Sequence, residues 1–284
     1  MKIVSDDSCL GYEAPGHPES PARVARTLAL LRAQTELPID WVRPGSVSER
    51  AIARVHQQAH LRALEEPRGF DADTPFHPGI ATLARQSAGG ALTAMEIALQ
   101  GEASFSLLRP PGHHAYAQHA MGFCYLNQAA ITAAEALARG LSVAVFDFDV
   151  HHGNGTEAAL LTRRGSLYVS VHQYPGYPGT GREHRGNARN YPMLPGTPRR
   201  EYCAGLARGL DVIAAERPDL LIVSAGFDAF VRDPLSDERL EIEDYEWLGR
   251  AIGGLGIKHC SILEGGYSGE LPQLILAYLQ GLVA

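Results

Sequence analysis

Residues 142–156 read SVAVFDFDVHHGNGT. This stretch opens on an unbroken apolar run, the candidate strand being SVAVFDFDV (142–150), and histidines and glycines follow. Continuous rather than alternating apolarity is expected of a parallel strand covered on both faces. In extended backbone, successive side chains point to opposite faces. Asp147, Asp149 and His151 therefore share one face, while Phe146, Phe148 and Val150 share the other. Two carboxylates and an imidazole on one face make a site for a hard-to-borderline metal ion. Polar residues at a strand end can also be solvated or cap the next helix. Burying acids beside VAVF without a cation or donor is costly, however, and that cost favours the metal site.

Similar apolar, β-rich runs recur at 2–4 (KIV), 103–108 (ASFSLL), 166–171 (SLYVSV), 219–225 (DLLIVSA) and 259–263 (HCSIL). Between them lie helical patterns at 21–34, 79–100, 127–139, 199–216, 242–253 and 270–282. Ser20-Pro21 marks the start of the first, an N-cap followed by proline at N1. This alternation predicts a three-layer α/β fold around a parallel sheet. Residues 5–19, 65–79 and 172–198 are rich in Gly, Pro and polar side chains and are expected to be long loops, which in compact domains are usually functional or disordered. No repeat, low-complexity linker or composition shift marks a boundary, so residues 1–284 are expected to form a single domain.

Composition narrows the function. The chain has 284 residues, 45% hydrophobic and 20% charged, which allows a substantial core and excludes a disordered chain. A net charge of −7 argues against sequence-independent nucleic-acid binding and would suit a cationic substrate. Cys9, Cys124, Cys203 and Cys260 form no CxxC pair, as expected of reduced thiols in a cytosolic protein. The N-terminus has no apolar core of a signal sequence, and no run reaches the roughly 18 apolar residues of a membrane span. A cytoplasmic protein without membrane contact is expected. With twelve histidines and only four cysteines, a bound metal would be held by imidazole and carboxylate.

The other strand ends carry further chemistry. SFSLL runs into RPPGHHA, placing His113 and His114 just beyond its carboxyl end; LIVSAGFD does the same for Asp228, and SILEGGY for Gly265, Gly266 and Tyr267. In an open parallel sheet, ligands bind in the crevice outside the carboxyl ends of the strands. A lone HH pair or GGY would read as loop chemistry, but their joint placement is a signal. Catalytic zinc needs three protein ligands and an open position, and Asp149, His151 and Asp228 would supply the ligands. His113 and His114 are candidate bases, and Tyr267 a candidate donor to a developing oxyanion.

Together these segments resemble the histone deacetylase and acetylpolyamine amidohydrolase superfamily. RPPGHHA (109–115), GFCYLN (122–127), DFDVHHGNGT (147–156), YPGTG (177–181), AGFDA (225–229) and LEGGY (263–267) stand in the family's order and spacing over nearly the whole chain. HPESPAR (17–23) and FDADTPFHPG (70–79) add to the likeness, and HHGNGT and LEGGY look like the class II and bacterial branches. The resemblance implies the arginase/deacetylase-like fold, about eight parallel strands flanked by helices, and hydrolysis of an acylated amine. It implies zinc on Asp149, His151 and Asp228, His114 as base and later acid, His113 as its electrostatic partner, and Tyr267 polarising the acyl carbonyl. Asp147 matches the acid behind His113, and Asn154 the group behind His114. Gly122, Phe123 and Tyr177 would wall an acyl-lysine channel beside Gly266, with Asp73 at its rim. A potassium ion is implied near the zinc, through Asp147, Asp149, His151, Ser170 and Val171.

Some positions depart from the family pattern. Phe230 stands where relatives often carry a small or polar residue. EHRGNARNYPM (183–193) lacks the usual glycine-alternating run, which puts a second potassium site in doubt. Leu235 occupies the place of a glutamate gatekeeper in a polyamine-specific branch. His152 reads as a supporting residue, and His172 and His184 as loop residues near the site. The expected substrate is an acylated lysine peptide or small acylated amine. The alternatives are an acetylpolyamine deacetylase and a non-catalytic acyl-lysine binder. Asp147 behind His113 and Asn154 behind His114 predict a cationic His113 beside a neutral His114.

Overall fold

In the computed structural model, which describes residues 1–284, the apolar runs become strands of one parallel sheet. Its strands are β1 (Lys2–Val4), β2 (Asp40–Val42), β3 (Ser104–Ser106), β4 (Val143–Asp147), β5 (Ser166–Gln173), β6 (Ala188–Met193), β7 (Leu220–Ala225) and β8 (His259–Leu263). They lie in the order β2-β1-β3-β8-β7-β4-β5-β6, and every neighbouring pair is parallel. The helices are α1 (Pro21–Ala33), α2 (Glu49–Ile52), α3 (Gln58–Ala63), α4 (Ile80–Leu99), α5 (Gln128–Ala138), α6 (Asn154–Leu160), α7 (Arg199–Glu216), α8 (Ile242–Gly253) and α9 (Leu271–Leu282).

Alternate strand residues enter opposite layers. Ile3, Phe105, Phe146, Val169 and Val223 pack with α1, α7, α8 and α9, whereas Val4, Val145, Tyr168, Ile222 and Ile262 pack with α4, α5 and α6. Burial on both faces is why the runs are continuously apolar. A third cluster joins α2, α3, α4 and α5 around Ile52, Leu61, Ile80 and Ile131. No helix is long and apolar enough to cross a membrane.

The structure departs from the sequence-based expectation at the sheet edges. Both unexpected strands, β2 and β6, are edge strands. β6 lies inside the expected loop 172–198 and contains Pro192, a residue tolerated at a sheet edge because its missing N–H is not needed there. β5 extends through His172 and Gln173, so His172 is a buried strand residue rather than a loop residue. β4 stops at Asp147, three residues before the expected end, yet Phe148 and Val150 remain buried in the core.

α8 and α9 touch backbone to backbone. A Cβ at Gly249 would lie 2.1 Å from the Tyr278 carbonyl oxygen, and one at Gly281 would lie 2.0 Å from that of Glu246. Gly249→Ala must push the helices apart and should lower stability by about 1–3 kcal/mol in a denaturant titration. Glu238, in the β7–α8 connection, is 2% exposed, and neither carboxylate oxygen has a hydrogen-bond partner in the protein. Burial, reinforced by Asp237, pushes its carboxyl from 4.5 up to about 7. The folded state therefore holds a proton that the unfolded chain has released, and stability falls as pH rises from about 4.5 to 7. Glu238→Gln should raise the melting temperature at pH 8 and change it little at pH 4, a difference on the order of 1 kcal/mol.

Candidate metal centre and catalytic channel

β3, β8, β7 and β4 are adjacent in the sheet though distant in sequence, so the segments leaving their carboxyl ends meet in one crevice. Past β4 the side chains keep alternating. Phe148 and Val150 enter the core, while Asp149 and His151 turn to the crevice, where Asp228 arrives from β7. One ligand atom from each of Asp149, His151 and Asp228 lies within 4.8 Å of the other two. His151 Nδ1 is 3.0 Å from Asp149 Oδ1 and 3.1 Å from Asp228 Oδ2. Tetrahedral zinc ligands at about 2.0–2.1 Å from the ion stand about 3.3 Å apart, so the spacing suits one ion. The remaining carboxylate oxygens are already used: Asp149 Oδ2 accepts from Gly265 N–H (2.7 Å) and Asp228 Oδ1 from Val150 N–H (2.8 Å).

Charge supports the same fit. Asp149 and Asp228 are both 0% exposed. Burial would raise the Asp149 carboxyl, but His113 and His151 outweigh it and hold it low; burial and Asp149 together raise Asp228. Two buried carboxylates on one imidazole nitrogen form a cluster that a divalent cation neutralises.

His113 and His114 are buried beside this cluster with ring centroids 3.9 Å apart. His113 Nδ1 is 3.2 Å from Asp147 Oδ2, and its Nε2 is 3.8 Å from Asp149 Oδ1. Burial alone would lower His113, but Asp149 and Asp147 outweigh it and raise it to about 10. His114 Nδ1 donates to Asn154 Oδ1 (2.7 Å), which leaves Nε2 as the acceptor nitrogen. Burial, His113 and His151 push His114 well below 6.5. The pair is thus split into one cationic and one neutral imidazole.

A cavity of about 290 Å³ leads to these groups, lined by His17, Pro18, Asp73, His114, Gly122, Phe123, His151, Tyr177, Leu235 and Tyr267. Tyr177 stands edge-on to His114 at 5.0 Å, and Phe123 edge-on to Tyr267 at 5.7 Å. Phe123 has φ +68°, a strained conformation for a bulky residue, and its N–H is held by Thr74 Oγ1 at 3.0 Å. A Cβ at Gly122 would lie 2.6 Å from the His114 ring, so a side chain there would displace it. Asp73 is exposed at the rim, with its carbonyl 3.0 Å from His17 Nε2.

Asp147 and Ser170 are register partners on β4 and β5, and Val171 follows on β5. Ser170 Oγ is 2.8 Å from His172 Nδ1, and the Val171 carbonyl accepts from the Tyr202 hydroxyl at 3.4 Å. His152 bridges Glu157 (3.0 Å) and Thr180 (2.8 Å) and does not join the three-residue cluster.

Sequence reasoning missed two supporting acids, Glu264 and Glu19. Glu264 is fully buried and accepts from Gly112 N–H (2.7 Å), His113 N–H (3.1 Å) and Ser224 Oγ (3.1 Å), which fixes the turn that presents the histidine pair. Its signal was an acid ending the apolar run SIL, as Asp147 ends VAVF. Glu19 receives a two-pronged contact from Arg109 (2.6 and 2.7 Å) and another from Arg23 (3.1 Å). Arg23 in turn donates from Nε to the Gly266 carbonyl (2.7 Å).

The histone deacetylase domain family matches residues 17–282. A probable deacetylase of Methanothermobacter thermautotrophicus is 40% identical over 99% of this chain and 90% of its own length. The crystal structure of the HDA15 HD domain superposes with a TM-score of 0.93 at 31% identity, covering 100% of this chain and 91% of that one. The acetylpolyamine aminohydrolase of Burkholderia pseudomallei gives 0.90 at 29% identity, covering 100% and 99%. The eight-stranded parallel sheet with flanking helices is thus the arginase/deacetylase-like fold.

The split histidine pair sets a direct expectation. Asn154→Asp places a carboxylate behind His114 and favours its protonated form, so the neutral base appears only at higher pH. The acidic limb of the pH–rate profile should move upward by about one unit. An unmoved limb would exclude His114 as the group that titrates there.

Proposed function

The chain belongs to the histone deacetylase family, and from that premise we propose that it is a zinc-dependent amidohydrolase removing an acetyl or other short acyl group from an amine such as a lysine side chain. The observation that carries the proposal is the convergence of Asp149, His151 and Asp228 beside a neutral His114, where an aromatic-walled channel ends.

Asp149, His151 and Asp228 would hold the zinc, which when bound would supply Lewis acidity toward water and the acyl carbonyl. His114 Nε2 takes a proton from the attacking water and later gives it to the leaving amine. His113, kept cationic by Asp147 and Asp149, adds positive potential beside the reacting carbonyl. The Tyr267 hydroxyl donates to the oxygen on which negative charge develops, from a backbone position that Gly266 permits. Phe123 and Tyr177, with Gly122 between Tyr177 and His114, hold an aliphatic stem between aromatic faces. Asp73 at the rim accepts from the substrate backbone, and Leu235 gives the entrance an apolar wall. A potassium ion on Asp147, Asp149, His151, Ser170 and Val171 would stabilise the segment that carries the zinc ligands. We take residues 1–284 as one cytoplasmic deacetylase domain acting on acylated lysine peptides or small acylated amines, without nucleic acid or membrane. A second reading, an acetylpolyamine deacetylase, is favoured by the likeness to the Burkholderia enzyme over the full chain. The apolar Leu235 weighs against it.

Hydrolysis of an acetyl-lysine peptide and of N-acetylputrescine, with and without chelator, tests both readings. The expected result is peptide turnover that chelator abolishes and zinc restores, with Tyr267→Phe lowering kcat by about 10²–10³-fold. Turnover of the acetylpolyamine alone would establish the second reading. No turnover of either by the zinc-loaded protein would leave an acyl-amine binder.

A further inference from the structure

Tyr267 lines the channel, and its side chain meets the protein through ring contacts. Phe123 stands edge-on at 5.7 Å, and the Arg23 guanidinium lies 4.7 Å from the ring centroid. Where the hydroxyl sits is therefore set largely by the backbone that carries the ring. That backbone has an unusual freedom, because Gly266 adopts φ +117°, a conformation open to glycine and rarely to other residues. The Gly266–Tyr267 peptide could rotate unless both its ends were held. Its carbonyl end accepts from Arg23 Nε at 2.7 Å. Its N–H end donates to Asp233 Oδ2 at 2.6 Å, and the next N–H, of Ser268, donates to the same oxygen at 3.2 Å.

Asp233 belongs to the β7–α8 connection, 34 residues away in sequence, and is 5% exposed. Its second oxygen, Oδ1, accepts from the N–H of Leu235, a residue of the channel wall, at 3.0 Å. One carboxylate thus spans two segments, the one carrying Tyr267 and the one carrying Leu235. A contact at the protein surface follows the same line, since Arg232 Nε donates to Glu270 Oε1 at 2.8 Å.

We propose that Asp233 is a positioning residue that fixes the orientation of Tyr267 and couples it to the channel wall at Leu235. A carboxylate suits this role because one oxygen can accept two converging backbone N–H groups while the other serves a different segment. Without it, the Gly266–Tyr267 peptide is held only at its carbonyl end, and the hydroxyl samples positions away from the developing oxyanion. An error of about 1 Å in such a donor can cost about 10²-fold in rate. The inference rests on the reading of Tyr267 as the oxyanion donor.

The test combines a double-mutant cycle with a readout that needs no turnover. In the zinc-loaded protein, Asp233→Ala should lower kcat on an acetyl-lysine peptide by about 10²-fold with KM changed less than about 3-fold. In the Tyr267→Phe background the same substitution should cost less than about 3-fold, because the group it positions is already gone. Equal losses in both backgrounds would overturn the proposal and leave Asp233 a general structural residue. Should Asp233→Ala fail to fold, Asp233→Asn, which keeps the shape and one acceptor oxygen, is read in the same cycle with a smaller expected loss. Independently, 3-fluorotyrosine at position 267 should give one sharp ¹⁹F resonance in the otherwise wild-type chain and a broadened or split one in Asp233→Asn. An unchanged spectrum would also overturn the proposal. A wild-type protein without turnover, combined with a spectrum that does respond, would remove the catalytic reading and keep the positioning one.

Discussion

Two carboxylates with no solvent exposure, Asp149 and Asp228, point at the same imidazole nitrogen of His151. Like charges brought this close in a dry environment repel unless a cation stands between them, and the rest of the site is arranged around that requirement. β4 and β7 are neighbours in the sheet, which brings the two acids together, and backbone N–H groups of Gly265 and Val150 turn one oxygen of each away. What remains is one oxygen from each acid and one nitrogen, a set of hard-to-borderline donors matched to zinc.

The same negative potential organises the histidine pair. His113 lies within 3.2 Å of Asp147 and 3.8 Å of Asp149 and is held cationic; His114 has only an amide oxygen behind it and is held neutral. Glu264 and the Glu19–Arg109–Arg23 network extend the pattern inward, so the turn that carries the histidine pair and the segment that precedes Tyr267 are tied to their neighbours by buried charges. Truncating one member of such a buried network leaves an uncompensated charge, which makes the loops as costly to disturb as the core.

Much of this was legible in the sequence because the chemistry lies where the pattern changes. Runs such as VAVFDFDVHH switch from apolar to ionisable within two residues, and parallel strands buried on both faces leave little ambiguity about direction or burial. The convergence of Asp149, His151 and Asp228, the histidine pair beside them and the placement of Tyr267 in the channel followed from that switch together with the family motifs. β2 and β6 were not legible, because as edge strands β2 leaves Asp40 and Trp41 exposed and β6 carries Arg, Asn and Pro. Phe123 in a left-handed conformation and Asp233 beneath Tyr267 were not legible either. Their roles depend on contacts with Thr74 and with the Tyr267 backbone, 49 and 34 residues away, which no local pattern encodes.

The claim that buried acid pairing is completed by one cation is tested most directly by following thermal unfolding of chelator-stripped protein as zinc is added. The account predicts a melting temperature that rises and saturates at one zinc per chain in the wild type. In Asp228→Asn, which removes the charge repulsion without changing the shape, the stripped protein should be at least as stable as the wild type and respond far less to zinc. A wild type indifferent to zinc, or an Asp228→Asn protein that gains as much from it, would contradict the account.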